Sequence, residues 1–558
     1  MKRIISLLFA VSAVVFSAAA EGLSERVYIS TDRGVYVSGD RVWCSAFCMD
    51  ASTGGFSDFS SIAYLELHSS AGMVHTAKIA LLDGRGAGVM QLPSNLPTGN
   101  YKLLAYTKQN RNEDGYDYSA SAKVISVFNP NSSARVEGGV RVVESMPAAQ
   151  TTAPDAGGLS IKVPAGALSG QTVELGLSCP QDATLSISVS HDDGIIAPAG
   201  ISIADFKGSL KPGTAFTYNF VPEYEGEIIN GRVTGLSPSQ LDSLAGYAAF
   251  ISAPGDIRDV YSSGLDADGR VSFYTTNIYG DRDLVCEIEN LGSGMPGHIE
   301  LDSPFAEADA GDVPVLEICP GMRPLLERRA AAVQIERLFS ADTLYEYLPK
   351  RENLLTGDEY KSYLLDDYTR FPTMEEVLVE YVSEMRIRRN GKVPDIQVKL
   401  TDLYSTARFS YQASLMMVDE VPVFDPSKII SYDPLLVREL RIYPCTYSLG
   451  FRVYEGIADF RTYKGNLPAV DFDANVRIVD FHGPSYPMAY TCGTLVHDGR
   501  YPDYRQTAYW HPILEVEAGR TKTVEVVLPS YPGRFTVKVE GIASDGAPVS
   551  CITSFEVQ

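Results

Sequence analysis

Beyond its first twenty residues this chain has no apolar run long enough to cross a bilayer as a helix, which takes about 20 apolar residues. A membrane-spanning helix is therefore not expected in the mature chain. Positive charge is also in deficit: 47 Lys and Arg stand against 70 Asp and Glu, for a net charge of −23. Such a chain repels nucleic-acid phosphates and anionic membrane surfaces, so nucleic acid is excluded as an expected partner. Cysteine is sparse and scattered. Its eight positions, Cys44, Cys48, Cys179, Cys286, Cys319, Cys445, Cys492 and Cys551, form no dense disulfide framework. Cys44 and Cys48 share one face of an expected strand but lie more than about 10 Å apart, too far to bridge. Most of the cysteines are expected as small buried hydrophobes.

Motifs of catalysis are missing as well. The seven histidines, His68, His75, His191, His298, His482, His497 and His511, make no His-x-x-x-His or His-x-His spacing for a metal. There is no Gly-x-Ser-x-Gly elbow, Walker loop or dinucleotide fingerprint. His191 before Asp192 and Asp193 reads as a loop after a strand. Asp266, Asp268 and Gly269 resemble the start of a calcium loop but lack the later ligands, so a hairpin turn is expected. Asp366 and Asp367 lie in a polar lead-in to a helix. Asp419 and Glu420 are adjacent, so in a strand they point to opposite faces. They do not face one another across the roughly 5–9.5 Å that glycoside hydrolysis uses. A non-enzymatic protein without cofactor or metal is expected.

What is present begins with MKRIISLLFAVSAVVFSAAA: basic residues, an apolar run and small residues before Glu21, the pattern of a cleaved secretory signal over 1–20. The rest is too long for one core. Alternating apolar residues and turn signals predict a β-sandwich over 21–130, a second with its linker over 131–215 and a third over 216–310. Helical signals enter between 321 and 350. At FPTMEEVLVEYVSEMR, Thr373 and Glu376 form a capping box. Met374, Val377, Leu378, Tyr381, Val382 and Met385 make an apolar stripe, followed by Arg386, Arg388 and Arg389 near the expected helix end. Short strands then complete an α/β region over 311–470. Over 471–558 a C-terminal β domain is expected, in which Phe535, Val537 and Val539 alternate toward one covered face.

Two segments carry family resemblances. Tyr28, Thr31, Asp32, Tyr36, Gly39 and Asp40, with Leu96, Pro97, Gly99 and Tyr101, resemble the opening and closing motifs of the macroglobulin-like sandwich MG2. No thioester sequence accompanies it. Further on, FPTMEEVLVEYVSEMR, LMMVDEVPVFDP, VRELRIYP and YEGIADFRTYKG are similar, in order, to the plug domain of TonB-dependent outer-membrane receptors. Val418, Asp419, Val421 and Pro422 stand at that family's Asp-Gly-x-Pro turn, Glu439 and Leu440 at the next strand, and Gly456, Ile457 and Thr462 in the closing pattern. Glu420 replaces the usual turn glycine, which implies a rebuilt or relaxed turn. Fewer than 100 residues follow Gly465, too few for a receptor barrel.

The combination resembles barrel-less macroglobulin-plus-plug proteins exported by Bacteroidetes. It implies a mainly β chain of tandem macroglobulin- or Ig-like sandwiches with a small α/β plug-like domain, periplasmic or associated with the outer membrane. An envelope protein or outer-membrane complex is the expected partner; a glycan-binding component of nutrient capture and an adhesin or pilus-like assembly are the alternatives. Candidate interaction residues are Asp419, Glu420, Pro422 and Asp425, with Asp419 and Asp425 expected to shape backbone. Tyr501, Tyr504, Tyr509 and Trp510, in YPDYRQTAYWHP, either pack a core or meet a protein or glycan.

Overall fold

The computed structural model describes residues 23–145, 155–198, 200–255, 259–289, 291, 295–339, 345–347, 360–389, 394–401, 408–412, 414–485, 488–490 and 502–558. The expected signal segment, Tyr501 and Cys492 lie outside the described residues. The chain is mainly β and divides into two compact units. The first contains residues 1–225, 305–348 and 484–558, and the second 226–304 and 349–483.

In the first unit the N-terminal strands make one eight-stranded sheet folded over on itself. The strand Gly72–Leu82 pairs along Ile62–Ser69 and then, only at Leu81 and Leu82, with Arg85–Gln91, so it carries hydrogen bonding from one layer to the other. Val27, Ile29, Val42, Cys44, Ala46 and Cys48 alternate inward from two neighbouring strands and meet Leu65, Leu67, Leu103 and Ile125. Cys44 and Cys48 are free and buried, as their spacing requires.

A second sandwich in this unit departs from the expected boundaries. Ala183–Asp192 lies between Thr507–Val516 and Gly533–Ala543, with Pro548–Val557 beyond. The facing sheet joins Ser160–Lys162 and Thr172–Ser178 to Thr521–Val527. The segments expected as separate domains over 131–215 and 471–558 thus share one core, with Leu175, Leu185, Ile187 and Val189 against Val524, Val526, Val537 and Val539. Each half alone would leave an apolar face in water. The helix Arg323–Phe339 also belongs to this unit, not to the α/β region expected over 311–470. Its Val333, with Met322 just before it, packs on Val35, Val37 and Phe128.

In the second unit, Ile228–Thr234, Arg270–Tyr274 and His298–Leu301 face a sheet ordered Asp259–Gly264, Ala248–Ala253, Asp281–Ile288 and Arg477–His482. This is the sandwich expected over 216–310, completed by a strand nearly 180 residues later. Asp266 shapes the turn between Asp259–Gly264 and Arg270–Tyr274 by accepting the N–H groups of Asp268 (2.9 Å) and Arg270 (2.7 Å). Gly269 takes φ 74°. Those two strands pair with different partners, so the turn links the sheets and closes no hairpin.

The α/β module of the second unit carries a five-stranded sheet ordered Lys361–Leu364, Val437–Leu449, Arg452–Thr462, Leu415–Val418 and Val421–Pro422. Thr373 and Glu376 close the expected capping box, the Thr373 hydroxyl donating to Glu376 Oε2 at 2.7 Å. The helix is shorter than its apolar stripe suggests. It ends at Glu380, and Met385–Arg388 is a strand paired with Asp395–Leu400. Met385 still reaches the same core as Met374, Val377 and Val382, so the stripe marks burial and not helix length. Arg386 and Arg388 consequently lie on that strand and not in a last helical turn, and Arg389 pairs with Glu375 at 2.7 Å.

Candidate functional site

The strand Leu415–Val418 runs parallel to Arg452–Thr462 and turns back at once into Val421–Pro422. A two-residue hairpin matches the right-handed strand twist through a type I′ or II′ turn, and type I′ takes positive φ at both turn positions. Asp419 takes φ 49° and Glu420 φ 68°. The tight turn is therefore kept in its ordinary form, and neither rebuilt nor relaxed, although a side chain occupies the position a glycine would favour. Side-chain contacts hold it there. Asp419 accepts the Thr462 N–H at 2.7 Å, the Thr462 hydroxyl at 2.7 Å and the Leu467 N–H at 2.9 Å. Asp459 accepts the Glu420 N–H at 3.0 Å, and the Arg461 guanidinium donates to Glu420 at 2.8 Å. Asp419, Glu420, Asp459, Arg461 and Thr462 are buried, as is Pro422.

Asp425, half-buried, caps the helix Pro426–Ser431 by accepting the Ser427 N–H at 2.9 Å. Asp419 and Asp425 thus shape backbone, as expected. The backbone that Asp419 holds is the distant 462–467 segment, not its own turn. Burial also removes Asp419, Glu420 and Pro422 from any surface open to a partner.

The aromatic candidates are dispersed in the same way. Trp510 is buried, its ring 5.4 Å from that of Trp43, and locks the two sandwiches of the first unit together. Tyr509 is buried in the second sandwich core. Tyr504 alone is exposed among the described members, with its ring stacked 6.0 Å from Tyr531. These residues form no planar platform. His191 points into the same core, against Tyr531 and Phe535 at 5.0 and 5.4 Å, and burial pushes its pKa down. Asp193 turns away to a two-pronged ion pair with Arg329.

Sequence reasoning missed a cleft of about 790 Å³ in the first unit, between its two sandwiches. Opposite the inward Phe535, Val537 and Val539, the strand Gly533–Ala543 presents Arg534, Thr536, Lys538 and Glu540. The N-terminal sandwich covers part of that face, burying Glu540 and half-burying Lys538, while Arg534 stays exposed, whereas one open face is expected from the alternation. Glu540 accepts the Ser30 hydroxyl at 2.6 Å and Lys538 at 2.8 Å, with Lys123 at 3.9 Å. Burial works to raise the Glu540 carboxyl, yet the two lysines hold it down to about 2. Burial lowers Lys123 to about 8 against the pull of Glu540. The alternating signs of KVEG were the available signal, but nothing local says which surface covers them.

Other acids serve as clasps. Glu66 receives the Tyr106 hydroxyl at 2.5 Å and three successive N–H groups, of Ala306, Glu307 and Ala308, at 2.9 to 3.1 Å. Glu25 receives the Ser57 and Thr107 hydroxyls at 2.6 and 2.8 Å. Among the described residues no group of three His, Cys, Asp or Glu side chains is arranged to hold a metal, and no helix is long and apolar enough to cross a membrane.

No family model matches the chain, and no curated protein matches it. Among solved structures it is similar to native Escherichia coli alpha-2-macroglobulin at 10% identity, over 96% of this chain and 40% of that one, with a TM-score of 0.24. The trypsin-activated form of that protein gives 9% identity, 96% and 41% coverage and a TM-score of 0.23. The Yersinia pseudotuberculosis adhesin InvE gives 10% identity, 50% and 59% coverage and a TM-score of 0.13. The chain spans about two-fifths of the length of the E. coli macroglobulin. At such TM-scores the β-sandwich assignment rests on the strand pairings themselves.

Proposed function

We propose that this chain is a non-enzymatic cell-envelope interaction protein, in which β-sandwiches act as a spacer and the α/β module docks to an outer-membrane transport or surface assembly. The observation that carries this reading is an apolar ledge on the module. Among the described residues Lys361–Leu364 is an edge strand, paired on one side with Val437–Leu449. Beside it Leu364, Tyr368 and Tyr463 are 47%, 41% and 51% exposed. Tyr368 stacks on Tyr381 at 4.4 Å, and the Tyr463 hydroxyl donates to Asp366 at 2.5 Å, so the ledge is held in place before any partner arrives. An edge strand with fixed aromatic neighbours suits addition of an extended segment from a partner protein.

The acids that a hydrolase reading would enlist are consumed by backbone and arginine contacts, which supports a scaffold. The Asp419–Glu420 turn, the strand from Glu439 and the Gly456 pattern support the plug-like resemblance, and with it a partner at the outer membrane. Export rests on the signal-like first twenty residues.

The test is affinity capture from crosslinked envelopes of the native cell, comparing wild type with Leu364→Ser/Tyr463→Ala. One outer-membrane protein should be captured by wild type and lost, at least tenfold, by the variant, with the far-ultraviolet spectrum unchanged. Equal capture by both overturns docking at this ledge. No protein captured, with binding on a glycan panel, establishes the nutrient-capture alternative.

A further inference from the structure

Glu287 lies on the strand Asp281–Ile288, in register with Phe250. Its neighbours Cys286 and Ile288 point into the core of the 228–301 sandwich, so strand alternation sends Glu287 to the opposite face. On that face Phe250 meets Leu415, Met417, Tyr443 and Ile457 of the α/β module, and its ring lies 5.1 Å from Phe424. Glu287 is 5% exposed, and its buried Oε1 has no hydrogen-bond partner among the described residues.

The surrounding charges do not compensate it. Glu289, two residues on, is already committed to the Tyr454 hydroxyl at 2.8 Å and to Arg452 at 2.6 Å. Asp473 approaches from the segment before Arg477–His482, and Lys428 comes from the helix Pro426–Ser431. Lys428 lies 3.0 Å from Asp473 and donates to the Asp471 carbonyl, so its charge is shared before it reaches Glu287. Ala248–Ala253 supplies no ionisable side chain.

We propose that Glu287 is a proton-operated latch between the sandwich and the α/β module: neutral, it fills the seam; ionised, it is repelled by Asp473 and Glu289 and the seam opens. Burial, then Asp473 and Glu289, raise its pKa well above the ordinary carboxylate value, with Lys428 opposing. A carboxyl whose pKa is raised in the closed state binds a proton there that the open state has lost. Closure is therefore favoured fully at or below the ordinary value of about 4.3, and that advantage is lost as pH rises toward the raised value. Within that window the open fraction grows about tenfold per pH unit. The inference does not depend on what the module docks against.

The test is amide hydrogen exchange in the full chain from pH 4.5 to 9, corrected for intrinsic rates and read at 415–418 and 454–460. Wild type should lose protection tenfold per pH unit over part of the range. Glu287→Gln, permanently neutral, should match wild-type protection at pH 4.5 and stay flat. Asp473→Asn, which removes a repelling charge and frees Lys428, should end the wild-type loss at a lower pH. A pH-independent wild type, an equally pH-dependent Glu287→Gln, a Glu287→Gln already unprotected at pH 4.5, or an Asp473→Asn profile unshifted from wild type each overturns the latch.

Discussion

At Glu420 two opposing terms meet in one residue. A left-handed backbone costs a non-glycine residue about 1 kcal/mol, and the Arg461 ion pair returns stability only while Glu420 stays in that turn. Glu420→Ala removes the pair and keeps the strain, whereas Glu420→Gly removes both. Glycine should therefore be more stable than alanine by about 1 kcal/mol, the reverse of its usual rank in a strand or helix, when the two are compared by urea unfolding. Asp419 is the larger lever. Its carboxylate binds three donors on a segment more than forty residues away, so Asp419→Ala should cost about 3 kcal/mol in the same measurement. The sequence made the turn legible through its resemblance, down to the missing glycine. It did not make Arg461 legible as the reason glutamate is tolerated, because that pair exists only once Leu415–Val418 lies beside Arg452–Thr462.

Single elements were readable where their signals are local. The capping box at Thr373 is a contact between neighbours three positions apart, and it forms as expected. Where the helix stops was not readable, since Met385 satisfies both the helical stripe and the strand that replaces it. The strand Gly533–Ala543 shows the same limit: its apolar face was evident, but its charged face looked like solvent and is instead the wall of a cleft.

The buried ion cluster on that wall should govern the acid behaviour of the first unit. Glu540 has its folded pKa depressed to about 2, so its stabilisation is present above its ordinary value of about 4.3 and is lost as pH falls toward 2. Wild type and Glu540→Gln, unfolded in urea at pH 7, should differ, with the variant weaker, and the gap should close as pH is lowered from 4.5 to 2. Lys123 acts at the other end: lowered to about 8, it favours the fold increasingly as pH rises from 8 toward its ordinary value.

At the scale of the whole molecule the chain is nested, and contiguous reading fails for that reason. The second sandwich of the first unit opens at Ser160 and closes at Val557, with the complete second unit between its halves. The second unit repeats the device, its sandwich waiting for Arg477–His482 until after the α/β module. Turn signals and alternation identify strands, but they cannot say that Ala183–Asp192 pairs with Gly533–Ala543 across 340 intervening residues. Truncation after residue 470 should therefore damage both units at once, through the loss of Arg477–His482 from one and of four strands from the second sandwich of the other. The converse is a sharper test. Residues 155–198 joined by a short Gly/Ser linker to 502–558 retain all seven strands of that sandwich and the core from Leu175 to Val557. Such a chain also leaves the polar face of Gly533–Ala543 uncovered, which suits water better than an apolar face would. It should unfold cooperatively and give a dispersed amide spectrum, while 155–198 alone, with both edges of Ala183–Asp192 unpaired and Leu185, Ile187 and Val189 exposed, should not. A collapsed spectrum from the joined chain would mean that the sandwich depends on the N-terminal domain that covers its charged face, and that the Lys123, Lys538 and Glu540 cluster is part of its folding.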